Sequence, residues 1–333
     1  MSSLPKLSVH IVTYNHAPFI GQTLDSVLMQ QVCFDYEIIV ADDCSTDGTI
    51  EIIKDYHRRW PHKIKPTFRE KNVGAGRNAV EALEKCRGEY VACLEGDDYW
   101  TDPDKLRLQV EYLDKHPGCA LVHHAVAHMS WPSGESLGIC PALPFRIERT
   151  DPRLIAMVNY IQTCAVMFRK KCLPPLDDQY QGLKLGDWPL FALLSQNGWI
   201  GYIDRSMAHY RIHACNNWNN RPADYKMAAM EEMARYLLER VNERSREYWK
   251  NTILALAFKD VVLSMKSLDF LKSFVKVRRF ASNSVKFKKP FWLLNSLWPY
   301  YRANSAARSA RKPAAPNTTV KPLIPSAAAH LIF

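Results

Sequence analysis

Short apolar runs alternate with amphipathic stretches through the first hundred residues. Residues 7–12 form an apolar run that stops at Thr13, Tyr14 and Asn15, and behind it Ile20, Leu24, Val27 and Leu28 recur at helical spacing. A second run at 36–41 closes on Asp42 and Asp43. Ser45-Thr46-Asp47-Gly48 then supplies turn and N-cap chemistry for a helix around residues 50–56. Residues 64–68 read as a third strand, 75–86 as a helix and 90–94 as a fourth strand. Strands buried on both faces and separated by amphipathic helices predict an α/β domain with a mostly parallel sheet. Ligands of such sheets sit beyond the carboxyl ends of the strands. Tyr14 with Asn15, Asp42 with Asp43, and Asp97 with Asp98 all fall at those ends.

The pattern loosens after Trp100. Residues 105–115 predict a helix stopped by Pro117 and Gly118, 120–127 a strand, and 130–150 a loop containing Pro and Gly. Residues 160–168 read as a further strand, 186–197 as a helix, and 199–210 as a strand whose segment ends at His213. From 223 to about 265 the spacing is helical, with Met227, Met230, Ala234, Leu237 and Val241 on one face. Ala, Pro, Ser and Asn dominate after Arg302, the composition of a disordered tail. The expected organisation is an α/β domain over 1–222 with halves 1–100 and 101–222, a basic helical extension over 223–302, and a tail over 303–333.

Charge changes this picture only at the end of the chain. Of 44 basic and 34 acidic side chains, residues 264–333 hold 13 basic ones against the single acid Asp269, so the net charge of +10 belongs to the tail. A nearly neutral body argues against nucleic acid as a partner. The nine Cys are odd in number, scattered through mostly apolar contexts and never spaced C-x-x-C. They read as reduced, buried thiols of a cytoplasmic protein, not as a disulfide framework or a zinc site. Residues 1–12 lack the pattern of a secretory leader, and no run of about 18 apolar residues suggests a membrane span.

Glu95-Gly-Asp-Asp-Tyr-Trp100 is the sharpest chemical feature. Two adjacent acids directly after a buried strand carry a high desolvation cost unless a cation or strong donors satisfy them. Magnesium and manganese take carboxylate oxygens and share the rest of their shell with phosphate and water. An acidic turn capping the helix near Asp104 is the plainer reading, and the second acidic strand end at Asp42 and Asp43 weakens it.

Val9-His-Ile-Val-Thr-Tyr-Asn15, Ile38-Ile-Val-Ala-Asp-Asp-Cys-Ser-Thr-Asp-Gly-Thr49, Asn72-Val-Gly74 with Arg77-Asn78, and Gly88-Glu-Tyr-Val-Ala-Cys-Leu-Glu-Gly-Asp-Asp98 follow one another in a characteristic order. Over about residues 7–215 the chain resembles the family 2 glycosyltransferases of GT-A fold. The resemblance implies a Rossmann-like sheet flanked by helices. It also implies inverting transfer from a nucleotide-activated sugar, usually a uridine diphosphate sugar, to a glycan or lipid-linked acceptor, with Mn2+ or Mg2+. By the same resemblance Tyr14 and Asp43 hold the nucleobase with Thr13 beside them, Arg77 lies near the uridine, Asp97 lies by the ribose or sugar, and Asp98 binds the metal. Glu95 stands two residues before Asp97 and receives no role.

Inverting transfer needs a base that takes the acceptor's hydroxyl proton. The resemblance puts it at Asp187 in Gly186-Asp187-Trp188, at a helix start where a carboxylate gains from the positive end of the helix. Ordinary N-capping is the alternative. Tyr210-Arg-Ile-His213 resembles the segment that closes over the donor, with His213 as a ligand of the metal or a contact of the diphosphate and Arg211 neutralising it. Trp100 and Trp188 are expected to stack on sugar rings or to pack in the core.

Two rivals come from other features. Gly74-Ala-Gly-Arg-Asn-Ala79 fits a dinucleotide fingerprint, as in an NAD-dependent oxidoreductase, but a polar stretch precedes it and the paired acids would have no purpose. A non-catalytic, basic binding protein explains the tail and none of the carboxylates. The tail itself, residues 265–302, sets apolar residues beside Lys272, Lys276, Arg278 and Arg279, then an uncharged aromatic stretch at 290–301. That arrangement predicts an interfacial segment on an anionic membrane surface. The alternative is a helical subdomain packed on the catalytic domain or on a second subunit of a homo-oligomer.

Overall fold

A computed structural model describes residues 4–214, 218, 220–266 and 270–287. The chain divides into two compact units: an α/β unit up to Pro152 that resumes from Tyr160 to Asn216, and a helical unit made of residues 153–159 and the chain from Asn217 on.

The α/β unit begins with β1 (Leu7–Thr13), α1 (Ala17–Leu28), β2 (Tyr36–Asp42), α2 (Thr49–Arg59), β3 (Ile64–Phe68), α3 (Ala75–Lys85) and β4 (Tyr90–Glu95). It continues with β5 (Tyr99–Trp100), α4 (Lys105–Lys115), β6 (Cys119–Ser130), β7 (Ser136–Cys140), β8 (Arg149–Thr150) and α5 (Pro152–Met157), the last running into the helical unit. Then come β9 (Met167–Arg169), α6 (Asp178–Gln181), α7 (Asp187–Leu194) and β10 (Trp199–Ile212). One sheet runs β3-β2-β1-β4-β9-β6-β10-β5, with β7 on β6 and β8 on β10. β1, β2, β3, β4, β6 and β10 point the same way, and short strands oppose them. The carboxyl ends of β1, β2, β4, β6 and β10 therefore share one edge.

Side chains of β1, β2 and β4 make the core. Val9, Ile11, Ile38, Val40, Ala92 and Leu94 are fully buried, and Ile20, Leu24 and Val27 of α1 pack against the same cluster. Each large side chain so buried is worth about 1.5–3 kcal/mol over its exposed state. The turns after β1 and β2 are locked together. Asn15 adopts a left-handed backbone (φ 55°) and its Oδ1 accepts the N–H of Thr46 at 2.9 Å. The Asp47 carboxylate accepts the N–H of Ala17 (2.9 Å), the N–H of Thr49 (3.1 Å) and the hydroxyl of Thr49 (2.6 Å). Gly48, left-handed at φ 98°, takes the cap position of α2, so Asp47 ties the starts of two helices from one residue earlier than a simple N-cap.

Three departures from the sequence reading have physical reasons. The expected loop at 130–150 contains β7, which pairs antiparallel with β6. The expected strand at 160–168 shrinks to β9. Cys164 and Ala165 are apolar because a tight turn at Thr163–Ala165 is buried under Trp100, whose indole N–H donates to Cys164 O at 2.9 Å. The helical stretch expected from 223 to 265 is broken at Val241, giving α8 (Ala223–Arg240) and α9 (Glu243–Lys266), which α10 (Phe270–Lys286) follows.

In the helical unit, Met227, Met230, Met233, Ala234 and Leu237 of α8, Trp249 and Ile253 of α9 and Phe280 of α10 are buried. Two of the basic residues expected on a membrane face have acidic partners: Lys276 pairs with Asp260 at 2.8 Å and Arg279 with Glu231 at 2.7 Å. Both pairs tie α10 to other helices of the same unit. Residues 290–301 and the tail expected at 303–333 lie outside the described residues. Among the described residues no helix is long and apolar enough to cross a membrane.

Gly88 shows how tightly the strands are set. It precedes β4 as the chain folds over the start of β1, and its N–H donates to Ser8 Oγ at 2.8 Å. A Cβ at Gly88 would lie 2.4 Å from Ser8 N and 2.5 Å from Leu7 C, both unyielding backbone atoms. Gly88→Ala is expected to lower stability by roughly 3 kcal/mol. In contrast Gly21→Ala, inside α1 with only the Tyr56 hydroxyl at 3.8 Å, should raise it by up to about 1 kcal/mol. Urea titrations of the two variants check this; equal effects would contradict the close approach of β4 to β1.

Candidate active site

β4 ends at Glu95, and the chain turns at once. The N–H of Gly96 donates to Val12 O (2.9 Å) and that of Asp98 to Glu95 O (3.1 Å), so the turn rests on the end of β1. Only glycine fits there: a Cβ at Gly96 would meet Thr13 Oγ1 at 2.5 Å and His16 Nδ1 at 2.9 Å. From α1, the Thr23 hydroxyl reaches Gly96 O (3.0 Å) and Asp98 O (2.7 Å). Carboxylates 97 and 98 are thus fixed by backbone on one side and by β10 on the other.

β10 supplies the counterweights. The backbone N–H of Arg211 donates to Asp98 Oδ1 at 2.9 Å, and its guanidinium donates to Asp97 O and Gln22 Oε1 while lying 4.2 Å from the Tyr99 ring centre. His213 Nε2 is 3.0 Å from Asp97 Oδ2, and His16 Nε2 is 3.7 Å from the same oxygen. Carboxylate oxygens of Glu95, Asp97 and Asp98 come within 4.8 Å of one another. Asp98 is fully buried, and its Oδ2 has no hydrogen-bond partner.

That crowding sets the proton affinities. Burial, then the charges of Asp97 and Asp187, push the Glu95 carboxyl up to about 8. Burial and the neighbouring Asp97 and Glu95 raise Asp98 well above the usual carboxylate range, against the pull of Arg211. Burial also acts to raise Asp97, but the hydrogen bond with His213 and the charges of His16 and His213 outweigh it and hold Asp97 low. Three hard oxygen donors, one of them buried and unpartnered, fit a divalent cation. A cation would also remove the proton that crowding otherwise forces onto the cluster.

The other expected residues are less uniformly placed. Thr13 is buried at the end of β1 with Oγ1 unpartnered, and Tyr14 beside it is 45% exposed. Asp43 is buried, and its two oxygens accept the N–H groups of Val73 (2.8 Å) and Gly74 (2.9 Å). These are the amides a dinucleotide phosphate would require, and Gly76 is needed for packing, since a Cβ there would lie 2.3 Å from Gln181 O. The dinucleotide fingerprint is therefore a chance match. Arg77 stands apart on the exposed face of α3, paired with Glu81 at 2.8 Å. Asp187 is the first residue of α7, with Gly186 in the cap position, and its charge reaches Glu95. Trp100 and Trp188 are both buried, and the Lys105 ammonium lies 3.9 Å from the Trp100 ring centre. Burial of both rings fits the core-packing alternative for each.

His16 was not singled out by the sequence reading. It follows Tyr14 and Asn15 at the same strand end, so the rule that picked those two extends to it. Its Nδ1 is buried without a partner beside Gly96. Gln22, reached by the Arg211 guanidinium, carries no signal beyond its place on α1.

Residues 8–173 match the family model described as glycosyl transferase family 2. An uncharacterised protein of Mycobacterium tuberculosis is 37% identical over 218 residues, which span 66% of this chain and 62% of that protein. An uncharacterised glycosyltransferase of Nostoc is 30% identical over 224 residues, 64% of this chain and 66% of that one. The chain thus covers a little under two thirds of these relatives' lengths. Among solved structures, residues 1–349 of TarS from S. aureus superimpose with a TM-score of 0.59 at 20% identity, over 85% of this chain and 80% of that one. The same TarS fragment in complex with UDP gives a TM-score of 0.55 at 21% identity, over 75% and 70%. At such identity the likeness is one of fold. Taken with the strand-end carboxylates and the sheet order, the matches establish that this chain belongs to glycosyl transferase family 2.

Proposed function

We propose that this protein transfers a sugar, with inversion, from a uridine diphosphate sugar to a hydroxyl of a glycan or lipid-linked acceptor. The observation that carries the reading is the cluster of Glu95, Asp97 and the fully buried Asp98, whose Oδ2 has no hydrogen-bond partner. Asp98, with Asp97 and Glu95 beside it, would hold Mn2+ or Mg2+, and His213 acts as a ligand or through Asp97. When bound, the cation neutralises the diphosphate that leaves.

The chain's own groups do the rest. The half-exposed ring of Tyr14 offers a face for the nucleobase, and Asp43, by fixing the turn at residues 73–74, shapes the pocket wall beside it. Thr13 Oγ1 and His16 Nδ1, both buried and unpartnered, offer polar contacts to the donor. Arg77 can exchange Glu81 for the donor's uridine, since its side chain is 60% exposed. Arg211 is committed to the site's frame and tempers the local negative charge. Asp187 takes the proton from the acceptor hydroxyl as that oxygen bonds to the anomeric carbon and the bond to the diphosphate breaks.

Asp98→Asn preserves shape and removes the charge. Turnover of the donor is expected to fall by roughly two to three orders of magnitude, and Mn2+ should no longer strengthen UDP binding. Wild-type turnover in this variant, or wild-type activity in excess chelator, would remove the cation from the account.

Asp187→Asn should leave the donor's KM and the melting temperature nearly unchanged while kcat falls by about 10²- to 10⁴-fold. Steady-state kinetics and thermal unfolding separate the outcomes: a drop in stability with normal kcat would make Asp187 a helix-start residue only.

A further inference from the structure

The segment that follows β6 carries five exposed apolar side chains, the first of them at the edge of the site. Trp131, Leu137, Ile139, Leu143 and Ile147 are each 42–65% exposed, whereas elsewhere among the described residues of the α/β unit only Leu4, Tyr14 and Met29 are large, apolar and comparably exposed. Trp131 directly follows β6, so it lies at the same sheet edge as the acids. Its N–H donates to Ile212 O at 2.9 Å, which ties the residue to the end of β10, one position before His213. The indole meets Phe19 edge-on at 5.1 Å, Phe19 lies 4.6 Å from the His213 ring, and His213 holds Asp97. Two ring contacts therefore separate an exposed indole from the carboxylate cluster.

From Trp131 the hairpin leads outward. Gly134 N–H to Ser130 O (2.8 Å) and Ser130 N–H to Glu135 O (2.9 Å) close its turn. Leu137 and Ile139, two apart on β7, share a face, and both are exposed while Cys140 is buried. Leu and Ile side chains offer no hydrogen bond to a sugar hydroxyl. Charged groups within residues 131–147 are limited to Glu135 and Arg146, and Arg146 is engaged with Pro141 O at 3.0 Å. Exposed apolar side chains on a hairpin that starts beside the acid cluster fit a ligand with a polar head and a hydrocarbon chain.

We propose that Trp131, Leu137 and Ile139 bind the hydrocarbon chain of an amphiphilic acceptor, whose sugar head reaches the acid cluster. This rests on the transferase reading above and narrows its acceptor to a sugar carried on a long apolar chain. These side chains set KM for such acceptors by burying part of the chain.

The test compares n-decyl and methyl β-glycosides, below the micelle concentration, with the full chain and the variants Leu137→Ser/Ile139→Ser, Trp131→Ala and Trp131→Phe. Binding is measured by calorimetry, and transfer is measured with UDP sugars and Mn2+. Burying two or three methylenes should favour the decyl compounds roughly tenfold or more in both Kd and kcat/KM. That preference should fall toward unity in the serine and alanine variants and persist in Trp131→Phe. Equal binding of decyl and methyl compounds by the wild type, or an undiminished preference in the variants, would overturn the proposal. So would variants that lose binding to phosphatidylcholine vesicles with no change in the decyl preference, which would make the hairpin a bilayer contact. Release of UDP without acceptor, followed in parallel, reports on the transferase reading alone; its failure with every donor would sink that reading, while decyl binding still judges the hairpin.

Discussion

Three carboxylates crowded at the end of a buried strand are the constraint around which the site is organised. Left alone, Glu95, Asp97 and Asp98 would carry several kcal/mol of desolvation and mutual repulsion. The fold offsets this with a backbone N–H and a guanidinium from Arg211 and two imidazoles, while burial and crowding raise the proton affinities of Glu95 and Asp98. It stops short of full compensation at Asp98 Oδ2. A buried oxygen with no partner is costly in a finished core and useful in a site whose partner arrives with the substrate.

That arrangement depends on strand geometry more than on the acids themselves. β4 can bring the turn against Thr13 only because Gly88 lets it run close beside β1 and Gly96 leaves no side chain in the way. β10 can donate to Asp98 only because β5 pairs with it antiparallel, setting Trp100 opposite Ala208. Beneath them, Trp100 is held by Cys164 O on one side and the Lys105 ammonium on the other, and Gln109 binds Lys105 while donating to Ala165 O. This apolar and hydrogen-bonded floor keeps the acids at the edge of the core, at the carboxyl ends of the strands.

Much of this was legible in the sequence, and the exceptions share a physical cause. The runs at 7–12, 36–41 and 90–94 show as strands because both their faces are buried, and the acids stand out because they interrupt such runs. β7 escaped notice because its outward face is apolar, so the usual polar alternation is missing. The turn at Thr163–Ala165 was read as strand because burial selects the same residues in either conformation. For Trp100 both stacking and core packing stay open in the sequence, because burial by α4 and a distant turn has no local signature. The Arg211 amide that binds Asp98 lies 113 residues away and is a backbone group, which sequence cannot single out. The same holds for Glu231 and Asp260, the partners of Arg279 and Lys276, which lie on other helices than α10.

The central claim is that the carboxylate cluster trades a proton for a divalent cation when the nucleotide binds. Calorimetric titration of Mn2+ into the protein with saturating UDP, between pH 6 and 9 in buffers of different ionisation enthalpy, tests it directly. Because the Glu95 carboxyl is pushed up to about 8 and Asp98 is raised as well, cation binding at pH 7 should release protons and affinity should rise with pH from 6 to 8. Absence of Mn2+ binding, or an affinity independent of pH with no proton release, would contradict the account.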